Sequence, residues 1–202
     1  MQELAISIPE NMESMQLPDP DLLDYYRYLE DRTIFINGCV DDFIESFVMQ
    51  ILAWNKEDKG KTDRKPIKIF INSDGGALAP TLNLIDVILL SKTPVYTIGM
   101  SRCYSSGGLL LMAGHKRFIF PTTTYLVHDG DYGVSGSTGK FLDSAKFTEQ
   151  QEDRLANYVT SHSSIDAATY EKNYRKDWFM FAEDILKYHV ADEIVTDLDQ
   201  IV

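Results

Sequence analysis

A serine, a histidine and a Gly-Gly pair fall at the ends of consecutive strand-like runs in this sequence, and together they are the parts of an amide-hydrolysing site. The serine is Ser105. It closes the stretch Gly99-Met100-Ser101-Arg102-Cys103-Tyr104, which follows the apolar strand Pro94 to Ile98. It opens a run of small and apolar residues, ending at Gly114, that reads as a buried helix. A hydroxyl at such a strand-to-helix turn stands clear of the backbone, beside helix N–H groups that lack an intrahelical partner. That is the position of an acyl-transfer nucleophile. His128 follows the short apolar run Tyr125 to Val127, and Gly75-Gly76 ends the polar tail of the strand Ile67 to Ile71.

Hydrolysis at a serine needs a base for the hydroxyl proton, a polar cradle for the oxyanion, and a third group that holds the base in the right tautomer. Of the four histidines, His115 follows a turn, and His162 and His189 lie in helical or helix-end contexts. Only His128 ends an apolar strand, where a side chain projects into a cleft; a histidine in such a place is also a common structural hydrogen-bonder. The backbone N–H groups of Gly76 and Ser106 are the candidate oxyanion donors, because glycines let backbone approach a ligand closely. A Gly-Gly pair serves equally well to make a turn and nothing more. Cys103 lies nearby, but small buried cysteines are common core residues, and nothing around it favours a catalytic thiol over Ser105.

The elements that must position these groups alternate along the chain. Thr33 to Asn37 reads as a strand closed by Gly38, and Asp42 with Glu45 three residues on suggests a helix N-cap. Phe43, Phe47, Ile51 and Trp54 then recur at helical spacing, with Ile44, Val48 and Leu52 widening the apolar face. Strand 67–71 leads into a helix over Ala77 to Leu90, with Leu82, Ile85, Ile88 and Leu89 inward, and strand 94–98 into the helix that begins near Tyr104. Phe118 to Phe120 and Tyr125 to Val127 are two further strands. Such repetition implies parallel strands with crossover helices, an α/β core. Asp129 to Ser137 is a Gly- and Asp-rich loop. Gly139 to His162 is a long polar helix with a sparse apolar stripe, suited to a second subunit or to a plain amphipathic surface. Shorter helices follow over Ile165 to Lys176 and Glu183 to Tyr188.

A chain of 202 residues is long enough for one well-buried domain, here over 21–202, after an irregular arm over 1–20 broken by Pro9, Pro18 and Pro20. The net charge of −12 argues against nucleic acid and anionic membranes as partners. No run approaches the ~20 apolar residues of a membrane span, and Met1 to Asp21 has no secretory-signal pattern. Two cysteines, Cys39 and Cys103, are too few for a disulfide framework and fit a reducing cytoplasm.

The ordered set of motifs resembles the proteolytic subunit of the Clp protease, a family of self-compartmentalising serine peptidases. Leu29 to Gly38 is similar to the family's opening strand, and Phe70-Ile-Asn-Ser-Asp-Gly-Gly76 to its oxyanion turn. Ser105-Ser106-Gly107 with Leu109 to Gly114 resembles its nucleophile segment. Phe120-Pro121 with Val127-His128 resembles the stretch ending in the catalytic histidine, and Trp178-Phe179 through Asp192 resembles its tail. The resemblance implies an α/β fold of the Clp-peptidase and crotonase type, built from repeated β-β-α units, with a helical handle over about 129–162 at a subunit interface. It makes Ser105 the nucleophile, His128 the general base and acid, and Gly76 with Ser106 the oxyanion donors, and it maps the third triad member to Asn173. It further implies two stacked heptameric rings of this chain, degrading unfolded polypeptides delivered by an ATP-dependent Clp-type unfoldase. On that reading the chain itself takes no cofactor or metal; ATP belongs to the partner, and no phosphate-binding Gly-Lys-Ser/Thr loop is present.

The sequence departs from the family pattern at Asp74 in place of a proline, at Cys103-Tyr104 in place of Ala-Ala, at Ser106 in place of a methionine, and at Asn173 in place of the triad aspartate. Asp177 is a candidate substitute for that aspartate, but four residues further on it is expected to face elsewhere. Two other classes therefore stand beside the peptidase: a weakly active or silent structural paralogue in a mixed ring, motivated by Asn173 and the altered turn, and a crotonase-type acyl-CoA enzyme, which needs neither Ser105 nor His128.

Overall fold

The computed structural model describes residues 20–201, so the arm expected over 1–20 lies, but for Pro20, outside the described residues. A seven-stranded sheet carries the chain, in the order β1-β2-β3-β4-β7, with β5 joined to β3 and β6 joined to β5. Helix α1 (Pro20–Glu30) precedes β1 (Thr33–Val40); α2 (Glu45–Glu57) crosses to β2 (Ile67–Gly76), α3 (Leu78–Leu90) to β3 (Val95–Tyr104), and α4 (Ser106–Met112) to β4 (Lys116–Ile119). Then come β5 (Thr124–Val127), α5 (Thr138–Ser161), α6 (Ala167–Asn173), β6 (Trp178–Met180), α7 (Ala182–Lys187) and β7 (Glu193–Ile194). All pairings are parallel except β5 with β6. This is the expected α/β architecture.

The core forms because β2 places Ile67, Ile69 and Ile71 on one buried face at the strand period of two, while Leu84, Ile85 and Ile88 of α3 cover it at helical spacing. Helices α2, α3 and α4 pack side by side over the strands. Two details differ from the sequence expectation. The cap of the first crossover helix is Asp41, not Asp42: its side chain accepts from the Phe43 N–H at 2.9 Å and starts one tight turn, Asp42–Ile44, before α2 proper. That turn resets the helical phase, so Ile44, Val48, Ile51 and Trp54 are buried while Phe43 and Leu52 stand exposed. Leu89 of α3 is likewise outward rather than inward.

More consequential for the site is strand length. β2 runs on through Ser73 to Gly76, and β3 runs on through Met100 to Tyr104, each past a register irregularity in the pairings with its neighbours. β3 pairs with β4 over Tyr96–Gly99 and with β5 over Arg102–Tyr104. One long strand thus changes partner midway, which brings the ends of β3 and β5 together.

At the far side of the sheet, Asp58 is 1 % exposed and holds Arg32 through Nη2–Oδ1 at 3.0 Å, with Thr93 and Lys61 also donating to it at 3.0 Å. The Arg32 hydrogen bond, helped by Lys61 and Thr93, outweighs the burial that opposes charge and holds the Asp58 carboxyl well below the usual carboxylate range. Asp58→Asn leaves the buried Arg32 with only the Lys65 carbonyl at 3.1 Å and the more exposed Glu57 carboxylate at 3.5 Å, and is expected to cost about 3 kcal/mol in urea unfolding at pH 7. Because the folded-state value is depressed, this stability is present above the unfolded value of about 4 and is lost as pH falls below it. The gap between wild type and variant should therefore narrow from pH 5 to pH 2; a constant gap would show that the carboxylate charge is not what matters.

Candidate active site

Ser105 has φ 51° and ψ −123°, a backbone conformation that residues other than glycine seldom adopt. Three contacts enforce it. The Ser105 N–H donates to the Leu126 carbonyl of β5 at 3.0 Å, and the Ser105 carbonyl accepts from Gly108 and Leu109 of α4 at 2.9 and 3.1 Å. With its backbone tied on both sides, the hydroxyl has no hydrogen-bond partner among the described residues. It lines a cleft of about 400 Å³ together with Gly76, Ser106 and His128.

The Gly-Gly turn lies directly against the serine. A Cβ on Gly75 would come within 2.7 Å of the Ser105 Cβ and 3.1 Å of the Ser106 nitrogen, and one on Gly76 within 2.0 Å of the Val40 carbonyl oxygen. Both glycines also have positive φ, so no side chain fits at either. The turn is pinned from three sides. Ser73 Oγ accepts from the Gly75 N–H at 3.0 Å, Ser106 Oγ donates to the Gly76 carbonyl at 3.0 Å, and Arg102 pairs with Asp74 at 2.8 Å. Gly76 and Ser106 thus stand side by side, and the Asp74 charge is taken up by a cation on β3.

His128 follows the last residue of β5. Strand β6 runs antiparallel to β5 with Tyr125 opposite Met180, Leu126 opposite Phe179 and Val127 opposite Trp178. Continued by one residue, that register sets Asp177 opposite His128. The Asp177 carboxylate is accordingly 3.8 Å from His128 Nδ1, with the imidazole 28 % and the carboxylate 68 % exposed. The expectation for Asn173 does not hold geometrically. Asn173 is the last residue of α6, its Nδ2 donates to the Thr169 carbonyl one turn back at 2.8 Å, and no hydrogen bond joins it to His128 among the described residues. The group that faces the histidine is Asp177, the residue expected to point away. A sequence signal existed: Asp177 immediately precedes the Trp178-Phe179 pair that opens β6, and strand pairing rather than helical spacing sets its direction.

The remaining candidates fall elsewhere. Cys103 is fully buried, its thiol is pushed up to about 12 by burial, and it donates to the Ile71 carbonyl, so it is part of the core. His115 Nδ1 accepts from the Val95 N–H at 3.0 Å, and His162 lies against Tyr158 at the end of α5. Sequence reasoning missed the other wall of the cleft. The loop residues Asp131 and Tyr132 and the α5 residues Glu152, Leu155 and Val159 also line it. Along α5 itself Val159 is the buried residue, whereas Phe141, Leu142 and Phe147 are exposed. Among the described residues no helix is long and apolar enough to cross a membrane.

The arrangement joins an unengaged hydroxyl at a strained turn, an imidazole with a facing carboxylate, and two backbone N–H groups beside a cleft, which is the equipment for acyl transfer. The family model that describes the Clp protease matches residues 20–197 of the chain.

Proposed function

The chain belongs to the Clp protease family, and from that premise we propose that it is a serine endopeptidase subunit acting through Ser105, His128 and Asp177. The observation that carries the reading is the strand register, which sets Asp177 against His128 at the edge of the cleft that Ser105 lines. His128 presents Nδ1 to Asp177, which leaves Nε2 to take the Ser105 proton as Oγ attacks the peptide carbonyl. The oxyanion that forms is received by the N–H groups of Gly76 and Ser106. His128 then protonates the leaving amine, and a water repeats the sequence on the acyl-enzyme. Substrates are extended polypeptides, since a cleft flanked by strand ends accepts unfolded chain. The exposed Phe141, Leu142 and Phe147 on α5 suit the handle role, in which α5 packs against another copy within stacked rings, and a Clp-type ATPase supplies unfolded chains. The silent-paralogue alternative was motivated by Asn173 and the altered turn; Asp177 facing His128 weighs against the first motive, and the Arg102–Asp74 pair that holds the turn weighs against the second.

The test is a serine-reactive fluorophosphonate added to the purified protein, with the adduct located by peptide mass spectrometry and the native particle weighed in parallel. Stoichiometric adduct on Ser105 within a ring-sized particle is expected. Absence of adduct in an intact particle would leave a structural subunit, and adduct on another serine would overturn the site.

A further inference from the structure

The cleft beside Ser105 has a mixed lining that the proposed chemistry does not use. Its walls are apolar, with Leu109, Leu155, Val159 and Tyr170 among them, yet Glu152 of α5 also lines it. Tyr132 from the loop before α5 donates its hydroxyl to Glu152 Oε1 at 2.7 Å, fixing the carboxylate in the cleft wall. Burial, and then the neighbouring Glu152, hold the Tyr132 phenol well above its ordinary range, so it stays a neutral donor and does not cancel the charge. No Lys or Arg lines the cleft, and Glu152 forms no ion pair among the described residues. The other acidic residues differ: Asp74 is already paired with Arg102, and Asp131 lies in the exposed loop.

We propose that Glu152 makes this cleft select a cationic side chain, lysine or arginine, at the residue whose carbonyl Ser105 attacks. The inference rests on the peptidase reading above. The apolar walls match the methylene stem of such a side chain, which buries its carbons while its charged head seeks a polar partner. The second Glu152 oxygen is that partner, and a charge-assisted hydrogen bond in a half-buried cleft is among the stronger single contacts a pocket can offer. An acidic side chain entering the same space meets an unneutralised carboxylate and is rejected.

Three fluorogenic peptides identical except for Arg, Leu or Glu before the cleaved bond test this with the intact protein. The wild type is expected to favour Arg over Glu by at least about tenfold in kcat/KM, the worth of one such hydrogen bond. Glu152→Gln should lower the Arg-to-Leu ratio by about the same factor, and Glu152→Lys should shift preference towards the Glu peptide. Ratios within one variant cancel any loss of folded protein, and if a variant fails to fold the wild-type ranking decides. A wild type that labels with fluorophosphonate but ranks Leu above Arg, or a ratio unmoved by Glu152→Gln, overturns the proposal. A wild type that neither labels nor cleaves overturns the peptidase reading, and this one with it.

Discussion

Ser105→Ala is expected to abolish peptide hydrolysis and fluorophosphonate labelling while leaving the particle and its fold intact. Removing a serine nucleophile lowers kcat by about 10⁶ where base, oxyanion cradle and substrate contacts are kept. The expectation here follows from how the residue is held. The backbone of Ser105 is fixed by the Leu126 carbonyl and by the Gly108 and Leu109 N–H groups, none of which involves the hydroxyl. Alanine keeps those bonds and the same positive φ, so stability should change by no more than about 0.5 kcal/mol. Ser106→Ala is the matched control. It removes the Oγ bond to the Gly76 carbonyl but keeps the Ser106 N–H, the proposed oxyanion donor, so activity should be reduced rather than lost. If Ser105→Ala still labels and Ser106→Ala does not, the nucleophile is the neighbouring serine.

Asp177→Asn is expected to lower kcat by about 10³, whereas Asn173→Ala should change it less than about twofold. Where a serine peptidase buries its triad aspartate, the same replacement costs about 10⁴ in kcat, through the wrong imidazole tautomer. The Asp177 carboxylate is two-thirds exposed and 3.8 Å from Nδ1, so water shares the task and the loss is smaller. Its place is nevertheless set by the β5–β6 register, and Asp177→Glu, which moves the carboxylate by one methylene, should recover part of the rate. Asn173 already spends its amide on the Thr169 carbonyl. The steady-state kcat of the three variants on one peptide decides the matter. A large loss in Asn173→Ala with none in Asp177→Asn would restore Asn173 to the third position.

Ser105, His128, Gly76 and Ser106 were legible from local pattern. Each sits at a boundary between an apolar run and a turn, and such boundaries follow from chain-local propensities and glycine conformational freedom. The parallel α/β order was legible for the same reason, since the alternating isoleucines in β2 and the helical spacing in α2 and α3 both declare their periods within a dozen residues. The ends of β2 and β3 were not. Ser73 to Gly76 and Arg102 to Tyr104 lack apolar alternation and join the sheet because neighbouring strands bond to them.

By itself the sequence put forward candidates for the nucleophile, the base and the oxyanion turn, and it determined the α/β class and the family resemblance. The partner of His128 came only with the tertiary fold, because Asp177 and His128 are brought together by antiparallel pairing of two short strands across an intervening loop, α5 and α6. Helical counting along α6 therefore has no bearing on where Asp177 points. Glu152 and Tyr132 enter the cleft for a similar reason: a polar helix gives no internal sign of which surface it will cover, and its packing beside Ser105 settles that. Local propensity encodes elements and their ends, whereas contacts between residues distant in sequence depend on how those elements pack and pair.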